Sequence, residues 1–203
     1  MNTKEYFLDY CQKLDNLVVL DEDEQNEMFD GFIEFAKSNK EDLVPLIKDI
    51  SPERGELLNC IYDNLMSQID IWQKFFVDEL KRLFSFAEYS ENYREVFVAL
   101  DAFSYITVDE DKSFFEEIRE ELLSRTYSSN ISIKRKAVWM MGDFLFENNV
   151  AYVKRLDELI YDLDWKTRCL AHLALNELYG KNEYANMDLM DKIKYKFKNV
   201  FDF

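Results

Sequence analysis

Two stretches of this sequence share one register, which constrains the fold more than any other feature. They are SNISIKRKAVWMMGDFL (129–145) and DLDWKTRCLAHLALNEL (162–178). In each, a polar cap precedes a basic residue about one turn later, and apolar residues then recur at the steps of one helix face. The matched residues are Lys134, Ala137, Met140, Met141 and Phe144, and then Arg168, Ala171, Ala174, Leu175 and Leu178. The register predicts two helices that pack in the same way.

A similar helix start occurs further upstream, at intervals of 34 to 40 residues. The basic residues are Arg54, Arg94, Lys134 and Arg168, and their caps are Ser51, Ser90, Asn130 and Asp164. A period of this length with two helices per unit is typical of α-solenoids, in which each unit buries its apolar face against the next.

The second stretch resembles a HEAT repeat, with Asp162, Asp164, Arg168, Ala171 and Leu175 at the places that family favours. The first stretch departs from the pattern through Lys134 for Arg and Met141 for Leu. The copies around Arg54 and Arg94 match poorly, and Phe97 replaces a small residue. The resemblance extends over roughly Ile69 to Leu178, and its motif is loose.

The resemblance implies an α-α superhelix of HEAT-like hairpins in one domain over residues 1–203, with the repeats best seen in 111–180. HEAT-like proteins are mostly scaffolds that bind other proteins along a curved surface, and a minority are DNA glycosylases for alkylated bases. An irregular helical bundle whose helix starts look alike is the alternative architecture.

Composition independently favours an all-α fold. Only 4 Gly and 2 Pro occur, while 48% of the residues are hydrophobic. Helices joined by short polar loops fit this scarcity of turn residues better than a many-stranded sandwich does. Gly55 and Gly142 fall inside helical patterns, where a missing side chain allows close helix packing.

The net charge of −16 restricts the partners. So acidic a surface repels phosphate, which disfavours nucleic acid and anionic lipid. It favours a basic protein partner, or it serves only solubility.

The sequence predicts no catalytic residue, metal site or cofactor. His172 is the only histidine and lies between apolar neighbours, where a core or groove-edge position is expected. No HExxH, CxxC or phosphate-binding glycine loop occurs. Three widely spaced cysteines indicate a reduced interior, and we find no signal peptide or transmembrane run. The expected location is the cytoplasm.

Two groups of residues are candidates for partner binding. If the apolar stripe of the first stretch faces the core, Arg135, Trp139 and Asp143 lie on the opposite arc, and Trp and Arg are enriched at binding hot spots. The alternative places Trp139 in the core. The second group is an acidic run whose alternative is a solvated helix face: Glu116, Glu117, Glu120 and Glu121.

Three functions fit these observations. The preferred one is a non-enzymatic protein-binding module that captures a basic partner, one specific form being an immunity or antitoxin-like protein that masks a basic toxin. The second is a DNA glycosylase on HEAT-like repeats, which needs a basic groove. The third is a structural subunit of a homo-oligomer, in which the aromatic residues of the first helices form the interface.

Overall fold

The protein is described here from a computed structural model that covers residues 2–106, 113–143, 150–179 and 187–201. These residues form eleven α-helices and two 3₁₀ turns and contain no strand, so the all-α prediction is confirmed. The helices are α1 Thr3–Asp15, α2 Glu22–Ser38, α3 Lys40–Lys48, α4 Gly55–Met66, α5 Ile69–Ala87, α6 Tyr93–Asp101, α7 Ser113–Arg125, α8 Ile131–Asp143, α9 Val150–Leu159, α10 Trp165–Tyr179 and α11 Leu189–Phe197. The 3₁₀ turns are Leu17–Val19 and Ala102–Tyr105.

The chain divides into two compact units. Unit 1 is Met1–Thr107 and unit 2 is Val108–Phe203. Each unit has its own helix packing, described separately below. A single domain over residues 1–203 stays a prediction.

The first two helices begin where the sequence places polar caps. The side chain of Asn2 accepts a hydrogen bond from the Glu5 amide, and Glu5 accepts one in return from the Asn2 amide. Asp21 and Glu24 form the same reciprocal pair at the start of α2. Each capping box satisfies two amides that the helix leaves without partners, and the acidic first turn of α2 complements the helix dipole.

Two helix starts in unit 1 differ from the prediction. Ser51 and Ser90 were expected to cap helices directly, but α4 begins at Gly55 and α6 at Tyr93. The hydroxyl of Ser90 accepts a hydrogen bond from the amide two residues on, as does that of Ser51 at a longer distance. This geometry makes a tight serine turn before the helix, because a short polar side chain competes locally with helical hydrogen bonding.

The core of unit 1 is an aromatic cluster between α4, α5 and the second 3₁₀ turn. The Tyr62 ring packs edge-on against Phe75, Phe76 and Phe103, with ring centroids 6.0 to 6.1 Å apart. All four rings are buried, and burial of each contributes roughly 1.5–3 kcal/mol. Helix α5 supplies two of these four rings, Phe75 and Phe76.

The length and polarity of a helix decide whether it can span a membrane. The longest helix, α5, has 19 residues, but charged residues interrupt its apolar side chains. No helix within the described ranges is long and apolar enough to span a bilayer.

In unit 2, α8 and α10 pack against each other, with α7 against α8 and α9 against α10. Both central helices start directly after their predicted caps, Asn130 and Asp164, which accept hydrogen bonds from amides of the first turn. The matched stripes are buried where described: Ala137, Met140 and Met141 on α8, and Ala171, Ala174 and Leu175 on α10. Phe144 and the Leu178 side chain lie outside the described parts.

Candidate functional site

The predicted residues Trp139 and Asp143 line a groove between α8, α10 and the C-terminal segment. We call it the Trp139 groove; its volume is about 180 Å³. Its walls are Trp139, Gly142, Asp143, Leu170, Leu173, Ala174, Asn176, Glu177, Tyr195 and Phe201. The groove combines apolar walls with a few polar groups, which is the ordinary chemistry of a small binding site.

Trp139 is half-buried rather than part of the core. The Lys136 ammonium lies 4.0 Å from the Trp139 ring centroid, and Lys136 itself is almost fully buried. A cation on the face of an indole is attracted by the ring quadrupole, by about 2 kcal/mol where water is excluded. Lys136 therefore fixes the orientation of the ring that lines the Trp139 groove.

Gly142 allows α8 and α10 to approach closely beneath this groove. A Cβ at this position would lie 3.2 Å from the Glu177 carboxylate and 3.8 Å from the Ala174 Cβ. The nearer contact is with the end of a flexible side chain, so the role of Gly142 in close helix packing stays a prediction.

Arg135, the third residue of the predicted cluster, does not line the groove. Its guanidinium donates two hydrogen bonds to the Asp164 carboxylate, at 2.8 and 2.7 Å. Lys134 beside it bonds Asp162 at 2.8 Å. These two pairs join the start of α8 to the turn before α10, so Arg135 has a packing role that its sequence position does not reveal.

Asp164 accepts hydrogen bonds from both Arg135 and the first turn of α10. Partial burial alone would raise the pKa of this carboxyl, but the bonds from Arg135 and from the Thr167 amide and hydroxyl outweigh it and hold the pKa well below its usual range. Such a carboxylate stabilises the fold above its unfolded pKa of about 3.9. That contribution is lost as the pH falls from there toward the lower folded value.

We therefore expect Asp164→Asn to flatten the acid limb of the stability profile. In the parent, the Asp164 contribution gives the free energy of unfolding a slope of up to about 1.4 kcal/mol per pH unit below pH 4, because the unfolded state binds one more proton. Urea unfolding at several pH values between neutral and acid measures this slope. An Asp164→Asn variant with the same acid slope as the parent would contradict the assignment, and Asp9→Asn, at an exposed pair, is the control.

The carboxylates of the acidic run of α7 differ in how far they are exposed. Glu116 is paired with Arg119 on the same helix, and Glu121 with Arg125 at 2.7 Å. Glu121 is mostly buried, whereas Glu116, Glu117 and Glu120 are exposed. None of the four lines the Trp139 groove. The seven predicted residues thus belong to three separate places: the groove, the Arg135–Asp164 pair and helix α7.

A second cavity, in unit 1, was not predicted. It opens between α1 and the start of α2, has a volume of about 400 Å³, and is called here the α1–α2 cleft. Its walls are Tyr6, Asp9, Tyr10, Lys13, Leu20, Glu24, Glu27 and Met28. Three carboxylates and one ammonium give this cleft a negative charge. The i, i+3 and i+4 spacing of Tyr6, Asp9 and Tyr10 on α1 was the available signal.

The two tyrosine rings that line the cleft are each stacked on a phenylalanine ring. Tyr6 stacks on Phe35 with centroids 3.9 Å apart, and Tyr10 stacks on Phe32 at 3.8 Å. Tyr10 is 2% exposed, and its hydroxyl has no hydrogen-bond partner within the described residues. Burial raises the pKa of Tyr10 far above its ordinary value, so the phenol stays protonated.

The carboxylates of the cleft differ in how far they are engaged. Asp9 pairs with Lys13 at 2.9 Å, and Glu24 accepts the Asp21 amide in the capping box. Glu27 is exposed and forms no ion pair among the described residues. A cation entering the cleft would therefore meet one uncompensated carboxylate beside tyrosine rings.

No family model, curated protein or solved structure matches this chain. Any functional proposal therefore depends on the chemistry of the described cavities. His172 is buried on α10. No group of three or more His, Cys, Asp or Glu residues in the described ranges is placed to hold a metal ion.

Proposed function

We propose that this chain is a non-enzymatic binding module that captures a basic protein partner. The observation that carries the proposal is the α1–α2 cleft, where Asp9, Glu24 and Glu27 share the walls with Tyr6 and Tyr10. Carboxylates attract a lysine or arginine side chain, and an aromatic ring adds about 0.5–1 kcal/mol at an exposed site. The partner would insert one cationic side chain into this cleft.

The charge of the whole chain supports the same partner class. A net charge of −16 creates a negative potential that accelerates encounters with a basic protein. The exposed carboxylates of α7, Glu116, Glu117 and Glu120, contribute to this field. They add to the overall negative charge, whereas the cleft supplies a specific contact.

We further propose that unit 2 follows the HEAT-like arrangement that the sequence resembles. The support is the recurrence of one contact: Lys134 on α8 pairs with Asp162, and Arg168, at the matching place on α10, pairs with Asp191 at 2.6 Å. Each pair links a helix to the segment that follows it in the stack. In this arrangement the Trp139 groove, which Asp143 lines, is a further contact surface for the partner.

A narrower form of the proposal is an immunity or antitoxin-like protein that masks a basic toxin, such as a nuclease, in the cytoplasm. An acidic protein that binds such a toxin competes with the nucleic acid for the same basic surface. The competing interpretation, a HEAT-like DNA glycosylase, is not favoured by the Trp139 groove. Asp143 and Glu177 lie on its walls and would repel a phosphate backbone.

Calorimetric titration with hexalysine tests the cleft directly. We expect the parent chain to bind this probe at low salt and the Glu24→Gln/Glu27→Gln variant to bind it about tenfold more weakly, since two lost rim charges are worth about 1.4 kcal/mol together. Gln at position 24 keeps the capping box, because Gln serves that motif as well as Glu does. The fold is therefore preserved while the charge is removed.

The matched control removes the same number of charges elsewhere. Glu117→Gln/Glu120→Gln on α7 should change the affinity for hexalysine by less than about twofold, because neither carboxylate lines the cleft. Equal losses of affinity in the two variants would show that hexalysine binds through the overall negative charge and not specifically in the cleft. No binding by the parent at low salt would overturn the proposal.

A further inference from the structure

Helix α11 is attached to unit 2 through its polar side. Asp191 is 2% exposed, and both of its carboxylate oxygens accept hydrogen bonds from Arg168, at 2.6 and 2.7 Å. Asp188 caps the helix by accepting the Asp191 amide. A buried bidentate ion pair has strict geometry, so it fixes which face of α11 is turned inward.

The opposite face of α11 is apolar and open to solvent. Leu189 is 73% exposed, Met190 59% and Ile193 44%. At 100° per residue these three side chains share one side of the helix, and Asp191 lies on the other. This is the reverse of an ordinary surface helix, which buries its apolar side.

One more exposed apolar side chain lies in the turn before α10. Arg168, which bonds Asp191 of α11, also donates to the Leu163 carbonyl at 3.0 Å. The Leu163 side chain is fully exposed. Exposed apolar residues that share one side of a helix, as Leu189, Met190 and Ile193 do, usually mark an interaction site.

The same helix is basic in an otherwise acidic chain. Residues 187–201 contain four lysines and two aspartates, whereas the whole chain carries a net charge of −16. Lys196, three residues after Ile193 on the helix, and Lys198, which directly follows the helix, are exposed. We call Leu189, Met190, Ile193, Lys196 and Lys198 the α11 face.

We propose that the α11 face binds the acidic surface of a second copy of this chain. Its lysines complement the carboxylates that dominate the rest of the molecule, and its apolar side chains gain from removal from water. Two α11 faces repel each other, so α11 of each copy contacts a different surface of its partner. Two such reciprocal contacts close a dimer.

Charge selects this occupant over the other candidates for a basic apolar helix. An anionic membrane or a nucleic acid would attract the lysines but repel the remainder of the chain, which is strongly negative. The interface differs from the self-association predicted through the first helices, because Phe7, Tyr10 and Phe32 are buried within unit 1.

The size of the α11 face limits the expected affinity of the dimer. A helix of 9 residues is about 13 Å long, so one contact falls below the roughly 800 Å² per partner of a standard interface. Even two reciprocal contacts give a weak dimer, with a dissociation constant in the micromolar range or above. The association should therefore depend on protein concentration.

Sedimentation velocity over about a hundredfold range of protein concentration at low salt tests the proposal. We expect the full chain to shift from monomer toward dimer. Leu189→Asp/Ile193→Asp and Lys196→Glu/Lys198→Glu should each raise the dissociation constant at least about tenfold. Far-ultraviolet circular dichroism checks that both variants remain folded, which we expect because the Arg168–Asp191 attachment is untouched.

The control substitutes equally exposed apolar residues of unit 1. Val19→Asp/Tyr89→Asp changes side chains that are 82% and 90% exposed, and it should leave the dimer intact. A parent chain that stays monomeric throughout would overturn the proposal, as would equal dissociation in the control. Cosedimentation of a monomeric parent with vesicles of phosphatidylglycerol would assign the α11 face to membranes instead, and would equally overturn it.

Discussion

Replacement of Gly55 by alanine is expected to destabilise unit 1 by about 2–4 kcal/mol. In most helical positions the same substitution stabilises by roughly 0.5–1 kcal/mol, because alanine has the better helix propensity. The sign reverses here because a Cβ on Gly55 would lie 1.8 Å from the carbonyl oxygen of Glu95 and 3.0 Å from the Val98 Cβ. The first turn of α4 rests directly on the backbone of α6.

The clash cannot be relieved by a rotamer change, because the nearest atoms belong to the α6 backbone. Either α4 or α6 must shift, and both carry buried side chains of the unit 1 core. Urea unfolding followed by circular dichroism measures the free-energy loss, and hydrogen exchange should localise it to unit 1. A Gly55→Ala variant as stable as the parent would contradict the close approach of the two helices.

Two other glycines provide matched controls. A Cβ on Gly31, on the exposed side of α2, would lie 3.4 Å from the Tyr6 hydroxyl, an ordinary contact. Gly31→Ala is therefore expected to stabilise by about 0.5–1 kcal/mol. Gly142→Ala should be close to neutral, because the Glu177 carboxylate at 3.2 Å belongs to an exposed side chain that can move away. The three substitutions share one chemistry and differ only in their surroundings.

Periodicity and caps were sufficient to predict the two central helices of unit 2. Helices α8 and α10 begin directly after their predicted caps, because apolar spacing and caps act within one turn of helix. The serine turns before α4 and α6 were not anticipated. A serine supports either a cap or a turn, and the choice depends on packing against other helices, as the contact of Ser90 with Glu53 illustrates.

The candidate sites were less accessible to sequence reasoning. Periodicity placed Trp139 and Asp143 on one side of α8, and both line the groove. The same periodicity also predicted Arg135 as part of this cluster. Its bidentate bond to Asp164, 29 residues away, could not be predicted, because nothing in the local sequence indicates that partner. The α1–α2 cleft combines α1 with residues beyond a 3₁₀ turn, so its carboxylates and tyrosines come together only through the angle between two helices.

Removal of the Arg82 guanidinium is expected to have the second large effect, a loss of about 3–5 kcal/mol in Arg82→Met. Arg82 donates three hydrogen bonds to Glu79, at 2.7 to 3.0 Å, and Glu79 is completely buried in α5. Without the guanidinium, a buried carboxylate would lose its compensating cation. Methionine retains most of the side-chain volume, so the expected loss is mainly electrostatic.

Tyr62 cannot replace the missing cation. Its hydroxyl donates to Glu79 at 2.5 Å, and burial together with the Glu79 carboxylate raises the pKa of Tyr62, so the phenol remains a neutral donor. One hydrogen bond contributes about 1–1.5 kcal/mol, which is less than the cost of a buried unpaired charge. The loss in Arg82→Met should therefore exceed that of an ordinary hydrogen bond.

A second substitution separates charge from packing. Glu79→Gln removes the buried charge and keeps an oxygen that accepts the Tyr62 hydroxyl, so Glu79→Gln/Arg82→Met should regain at least half of the loss. The exposed pair of Arg54 with Asp15 is the comparison, and Arg54→Met should cost less than about 1 kcal/mol. Urea unfolding of Arg82→Met, Glu79→Gln, the double variant and Arg54→Met gives the free energy of unfolding of each. The first three values, compared with the parent, measure the coupling between Glu79 and Arg82. Equal losses in Arg82→Met and in the double variant would assign the effect to the methylene packing of Arg82, because only the charge differs between them.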